Sequence, residues 1–128
     1  AGLGAALNDL ASFGIDNVLL HEQKLLRRFR DGLRELPEIS VYGPVDPAES
    51  VGVLSLNVAG LPCDEVGVRL EQQFGIFTRT GLHCAPAAHR SIGTLAKGTV
   101  RFSVSRFTTE AEIAAALAAL AIIARDVK

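Results

Sequence analysis

The stretch VGVLSLNVAGLPCDEVGVRLEQQFG, residues 51–75, changes its apolar period part-way along. Up to Val58 it alternates, with Leu54, Leu56 and Val58 on one side and Ser55 and Asn57 on the other, as in a strand that buries one face. From Cys63 the spacing becomes four, through Val66, Leu70 and Phe74. Asp64 and Glu65 stand near the positive end of that helix, and Gly75 closes it. A half-buried strand followed by an amphipathic helix is a building unit of layered α and β structure.

The flanking segments extend the same pattern. Residues 1–10, AGLGAALNDL, are in helical register, with Leu3, Leu7 and Leu10 on one face. That helix is expected to stop at Gly14, and Asp16 to cap the next one. The second helix is predicted to run to about Leu36, with Leu19, Leu26, Phe29, Leu33 and Leu36 as its apolar side and Pro37 ending it. Residues 39–42, Ile-Ser-Val-Tyr, can extend as a strand, and 43–48 carry the glycine and prolines of a loop. Further along, 76–79 and 99–104 read as short strands, the second entered through the Lys97-Gly98 turn. Thr109 with Glu112 three residues on forms a capping box for a last helix bearing Ile113, Leu117, Leu120 and Ala124 on one face. The sum is an α+β fold, a small and mostly antiparallel sheet covered by helices.

A chain of 128 residues is about one domain and can form a core without metal or disulfide staples. Its 13 basic and 14 acidic residues are scattered and leave a formal net charge of −1, so no basic field exists to gather phosphates. Nucleic acid is excluded as an expected partner. Two cysteines in unlike surroundings do not make the framework of a secreted disulfide domain, and a reducing, cytoplasmic location is expected. No apolar run reaches the ~20 residues that cross a bilayer, so no membrane partner is expected either. The chain opens without methionine and already in helical register, and is expected to be cut from something longer.

RTGLHCAPAAHR, residues 79–90, gathers two arginines, two histidines and Cys84 in a chain otherwise rich in Ala, Leu, Val and Gly. Cys84 falls between a short strand and Pro86, in a loop or at the head of a short helix over 86–92. Cations lower a thiol's pKa and so raise its reactivity, and Arg79, His83 and Arg90 could supply them. A small buried hydrophobe is the competing reading of the same cysteine. A zinc site would draw on His83, Cys84, His89 and Cys63, but adjacent ligands diverge and no CxxC or HxxxH pair exists, so no metal is expected. A Cys63–Cys84 disulfide needs a geometry that spacing does not show. A hydrolase would need His83 or His89 as base and an oxyanion hole. Arg101 interrupts an apolar strand opposite Val100 and Phe102. It is either a solvated strand arginine or a fork for a carboxylate.

IFTRTGLHCAPAAHRSIGTL, residues 76–95, and GTVRFSVSRFTTEAEI, residues 98–113, resemble the C-terminal region of class V pyridoxal-phosphate enzymes, specifically cysteine desulfurases and their close relatives of the Suf-like group. The family pattern there is roughly R-x-G-x-H-C-A-x-x-x-H followed by an arginine in G-t-v-R-x-S. The opening helices also resemble those leading from that family's large domain into its small one. The resemblance implies the small-domain fold of fold-type I pyridoxal-phosphate enzymes, with residues 1–14 ending a helix from a missing large domain and 15–128 forming the C-terminal domain.

It further implies an enzyme that takes sulfur from L-cysteine and leaves alanine. Cys84 would be the persulfide-forming nucleophile and His83 an acid or base beside it. Arg101 would hold the substrate carboxylate, with Arg79 at the same pocket. Pyridoxal phosphate would be bound by the full-length enzyme, a homodimer with a sulfur-acceptor protein as a possible partner. The lysines here are Lys24, Lys97 and Lys128, none of them in a Ser-x-His-Lys context, so this chain is expected neither to hold the cofactor nor to turn over cysteine alone. Thr108 and Arg106 depart from the family pattern at the start of the last helix, which bears on the subfamily. An aminotransferase or selenocysteine lyase relative, a stand-alone persulfide carrier, and a structural domain with Cys84 buried remain as alternatives.

Overall fold

A computed structural model describes residues 1–127, with nothing stated of the Pro47 side chain. Lys128, one of the lysines considered above, lies outside the described residues.

Strand β1 (Ile39–Tyr42) pairs with β2 (Val53–Val58), β2 with β4 (Thr99–Ser103), and β4 with β3 (Arg79–Gly81), all antiparallel, giving the order β1-β2-β4-β3. The chain is α+β, as the apolar periods imply. Leu54, Leu56, Val58, Val100 and Phe102 are buried on one sheet face, under helices α2 (Ile15–Leu33), α3 (Cys63–Phe74) and α5 (Glu110–Arg125). Helix α1 (Gly2–Phe13) buries no residue. The opposite sheet face carries Tyr42, Ser55, Asn57, Thr99, Arg101 and Arg79, by strict alternation from the register Tyr42↔Ser55↔Arg101↔Arg79. Hydrophobic burial therefore fixes which residues face the other way.

Helix α3 begins and ends where its sequence signals stand, with Gly75 in the left-handed region at φ 66 and its amide bonded to Glu71 O. Thr109 accepts from the Glu112 amide while the Glu112 carboxylate accepts from the Thr109 amide at 2.7 Å, completing the expected capping box. Four local expectations are corrected. Asp16 caps nothing: Gly14 is the N-cap of α2 and Asp16 lies in its first turn. Helix α2 stops at Leu33, and the chain makes a turn before Leu36, which still packs on the core. Leu25 is buried in that helix, whereas Leu19 stays 38% exposed among the described residues. Strand β3 spans 79–81 rather than 76–79, since only these residues find partners on β4.

Candidate functional site

The site grows out of β3 and β4. Their register sets Arg79 directly across from Arg101 on the open sheet face, although like charges directly opposite one another are unfavourable. Neither guanidinium forms an ion pair with a carboxylate among the described residues, and Arg101 Nε is buried without a hydrogen-bond partner. Orphaned buried donors are rare because each forfeits its hydration, so Arg101 Nε calls for an acceptor, whereas Arg79 is exposed to water. Arg101 is partly exposed.

The two strands can approach closely at their far end because Gly98 has φ 64 and no side chain. A Cβ there would come within 2.8 Å of Gly81 Cα, backbone that cannot move aside. The chain then leaves β3 through a turn in which His83 and Cys84 are both left-handed, at φ 52 and φ 59. For residues with a Cβ this conformation costs about 1–2 kcal/mol each. The turn is closed by the Ala85 amide donating to Leu82 O at 2.9 Å, and Pro86 opens the short helix α4 (Pro86–Ser91). Cys84 is exposed, and it and Cys63 are free thiols. The reading of Cys84 as a buried hydrophobe is overturned, and that description belongs to Cys63, whose thiol donates to Lys97 O at 3.1 Å.

His83 turns inward from the same turn. Its Nε2 lies 3.1 Å from Thr99 Oγ1, and its Nδ1 is buried without a partner. Its ring sits 5.5 Å from that of His89, which is itself buried. Burial foremost, then the charges of Arg101, His89 and Arg79, push His83 below the usual imidazole value, with the Thr99 bond opposing them. The four residues singled out in the sequence thus occupy one locality: Arg79 on β3, His83 and Cys84 in the turn after it, Arg101 on β4. Arg90 is exposed on α4. Among the described residues no group of three or more His, Cys, Asp or Glu is arranged to hold a metal ion, and no helix is long and apolar enough to cross a membrane.

The pattern that describes the aminotransferase class-V family matches residues 1–116 of this geometry's chain. The chain belongs to the aminotransferase class-V family. Among its class-V relatives, the cysteine desulfurase of Salmonella agona is 35% identical over 124 residues, covering 97% of this chain and 29% of that protein. The apo structure of the cysteine desulfurase from Thermococcus onnurineus superposes with a TM-score of 0.91 at 31% identity, over 98% of this chain and 30% of that one. The cysteine desulfurase of Escherichia coli, in an S-sulfonic acid form, gives 0.84 at 25% identity, over 98% and 30%. The chain therefore spans less than a third of the length of these class-V proteins.

Among the described residues of this class-V chain, neither lysine is placed with the candidate site to hold a pyridoxal phosphate covalently. Lys24 Nζ is paired with Glu110 at 2.7 Å on the helical side, and Lys97 is exposed in the turn before β4. Sequence reasoning missed Thr99 and Thr94, both buried hydroxyls that meet the histidines. Threonine in a loop, as Thr94 is, or at the start of a strand, as Thr99 is, is too common for its spacing to signal a role.

The lowered pKa of His83 has a stability consequence. Just below the ordinary imidazole value of about 6.5 the unfolded chain binds more protons than the folded one, so stability rises with pH through this window. It is lost as pH falls from the unfolded value toward the folded one. Urea midpoints are expected to decline on the acid side, and the decline to shrink in His83→Asn. An equal decline in that variant would remove His83 from the account.

Proposed function

We propose that the chain is the small C-terminal domain of a cysteine desulfurase-like enzyme, which moves sulfur from L-cysteine to Cys84 as a persulfide and leaves alanine. The observation that carries this reading is an exposed free thiol in a strained turn whose other left-handed residue, His83, lies within reach of the charge of an arginine with a buried Nε that lacks an acceptor. Its likeness to cysteine desulfurases over nearly the whole chain supports the same substrate class.

In this reading Arg101 takes the carboxylate of L-cysteine through Nε and a terminal nitrogen, a paired geometry that lysine cannot reproduce. Arg79 adds a second positive charge from the neighbouring strand. The Cys84 sulfur attacks the substrate sulfur, an S–S bond forms and the C–S bond breaks. The C–S electron pair stays with carbon, which takes a proton and becomes the methyl group of alanine. His83, held neutral by burial and its cationic neighbours, can accept the thiol proton. Pyridoxal phosphate, held by residues outside this chain, would supply the electron sink. In the same reading residues 1–14 would lead in from a large domain, and the exposed apolar side chains of Leu3, Leu7, Ile15 and Leu20 would face it.

The reading is tested in the full-length enzyme. Mass spectrometry after incubation with L-cysteine is expected to find one added sulfur on the Cys84 peptide. Arg101→Lys is expected to raise KM for L-cysteine roughly 10–100-fold while leaving alkylation of Cys84 unaltered. An unchanged KM would remove Arg101 from the carboxylate site.

A further inference from the structure

His89 is the buried titratable group for which the proposed reaction has no use. It is 4% exposed, on α4, and its Nδ1 lies 2.7 Å from Thr94 Oγ1. Thr94 is 2% exposed, and its amide donates to His89 O at 2.8 Å, so side chain and main chain join the same two residues. The His89 amide in turn donates to Ala85 O at 3.1 Å, directly after Cys84. Above this fixed pair lies the ring of His83, 5.5 Å away and tilted by 43°. A surface turn holding two consecutive left-handed residues needs surroundings that over-determine it. The described contacts of the His83 side chain are Thr99 on one side and His89 on another.

We infer that His89 is a positioning residue for the Cys84 turn: the buried His89–Thr94 pair is the floor on which His83 rests, and through His83 it holds the left-handed geometry that presents the thiol. The groups facing His83 are Arg101 and Thr99 from β4, Arg79 from β3 and His89 from α4. Of these only His89 belongs to the helix that follows the turn, so it alone ties His83 to the segment on the far side of Cys84. Removing its ring opens space beneath His83 and admits water there.

The inference deepens the desulfurase reading, but its test reads the turn in the 128-residue chain and needs no turnover. Absence of a Cys84 persulfide in the full-length enzyme would count against the desulfurase reading and leave this coupling standing. In His89→Ala, the Ala85 amide is expected to exchange with solvent about tenfold faster while amides of α5 are unchanged, as for local opening. The His83 imidazole, followed by NMR, is expected to titrate at higher pH than in the parent chain. Loss of the His89 charge would raise that titration too, and His89→Phe separates the two because it removes the charge and keeps a ring. His89→Phe, which keeps a ring, is expected to restore most of both. Thr94→Val, which removes only the hydroxyl, covers the case in which His89→Ala does not fold, and is expected to shift both readouts in the same direction by less. A folded His89→Ala, or failing that Thr94→Val, with Ala85 exchange and His83 titration unchanged overturns the inference.

Discussion

Cys84→Ser in the full-length enzyme is expected to abolish persulfide formation and to lower alanine production from L-cysteine by roughly 10³-fold or more. A hydroxyl at this position has nearly the shape of the thiol, so the turn closed by Ala85 and Leu82 should survive. What is lost is a polarisable nucleophile that ionises near neutral pH and can hold a second sulfur. Cys63→Ser is the matched control. That thiol is buried and donates to Lys97 O, a bond a serine hydroxyl can also make, and most of the activity should remain. Retention of more than about a tenth of the activity in Cys84→Ser would sink the assignment of Cys84 as sulfur relay.

Phe29→Ala is the second large effect. The ring is 0% exposed and meets Phe102 edge-on with centroids 5.1 Å apart, joining α2 to β4 beneath the strand that carries Arg101. Truncation leaves a cavity among residues that cannot all collapse into it and should cost about 3–5 kcal/mol, a large share of the ~5–15 kcal/mol that holds a domain together. The thermal midpoint should drop by roughly 10–20 °C. Phe77, 80% exposed, is the control, and its replacement by alanine should stay within about 0.5 kcal/mol. Equal urea midpoints for the two variants would contradict the position of the core.

The elements most legible in the sequence were those in which one local rule sufficed. Helix α3 matches its apolar period and its closing glycine residue for residue, and the α5 cap forms as Thr109 and Glu112 announce it. Where two local rules competed, the reading slipped. Ile76 and Phe77 have the composition of a strand, yet pairing with β4 is available only to 79–81. Helix α2 has apolar residues all along one side, but burial is granted only where a neighbour lies, so Leu25 is enclosed and Leu19 is not.

The candidate site was legible in kind. Crowding of Arg, His and Cys within residues 79–90, and an arginine in an apolar strand, are local facts that mark chemistry. Their arrangement is not local. Burial of the thiol or its exposure, the facing of Arg79 and Arg101, and the meeting of His83 with His89 all depend on which residues pair across β3 and β4 and how closely Gly98 lets them approach. Apolar period and capping chemistry act over a few residues, which is why spacing alone implies the α+β layer, whereas the family rests on the resemblance of residues 76–113 and on the class-V match. A lone donor on Arg101 or a left-handed turn at Cys84 is set by residues as far apart as His83 and Thr99 or Arg79 and Arg101, and only the packed sheet brings them to one place.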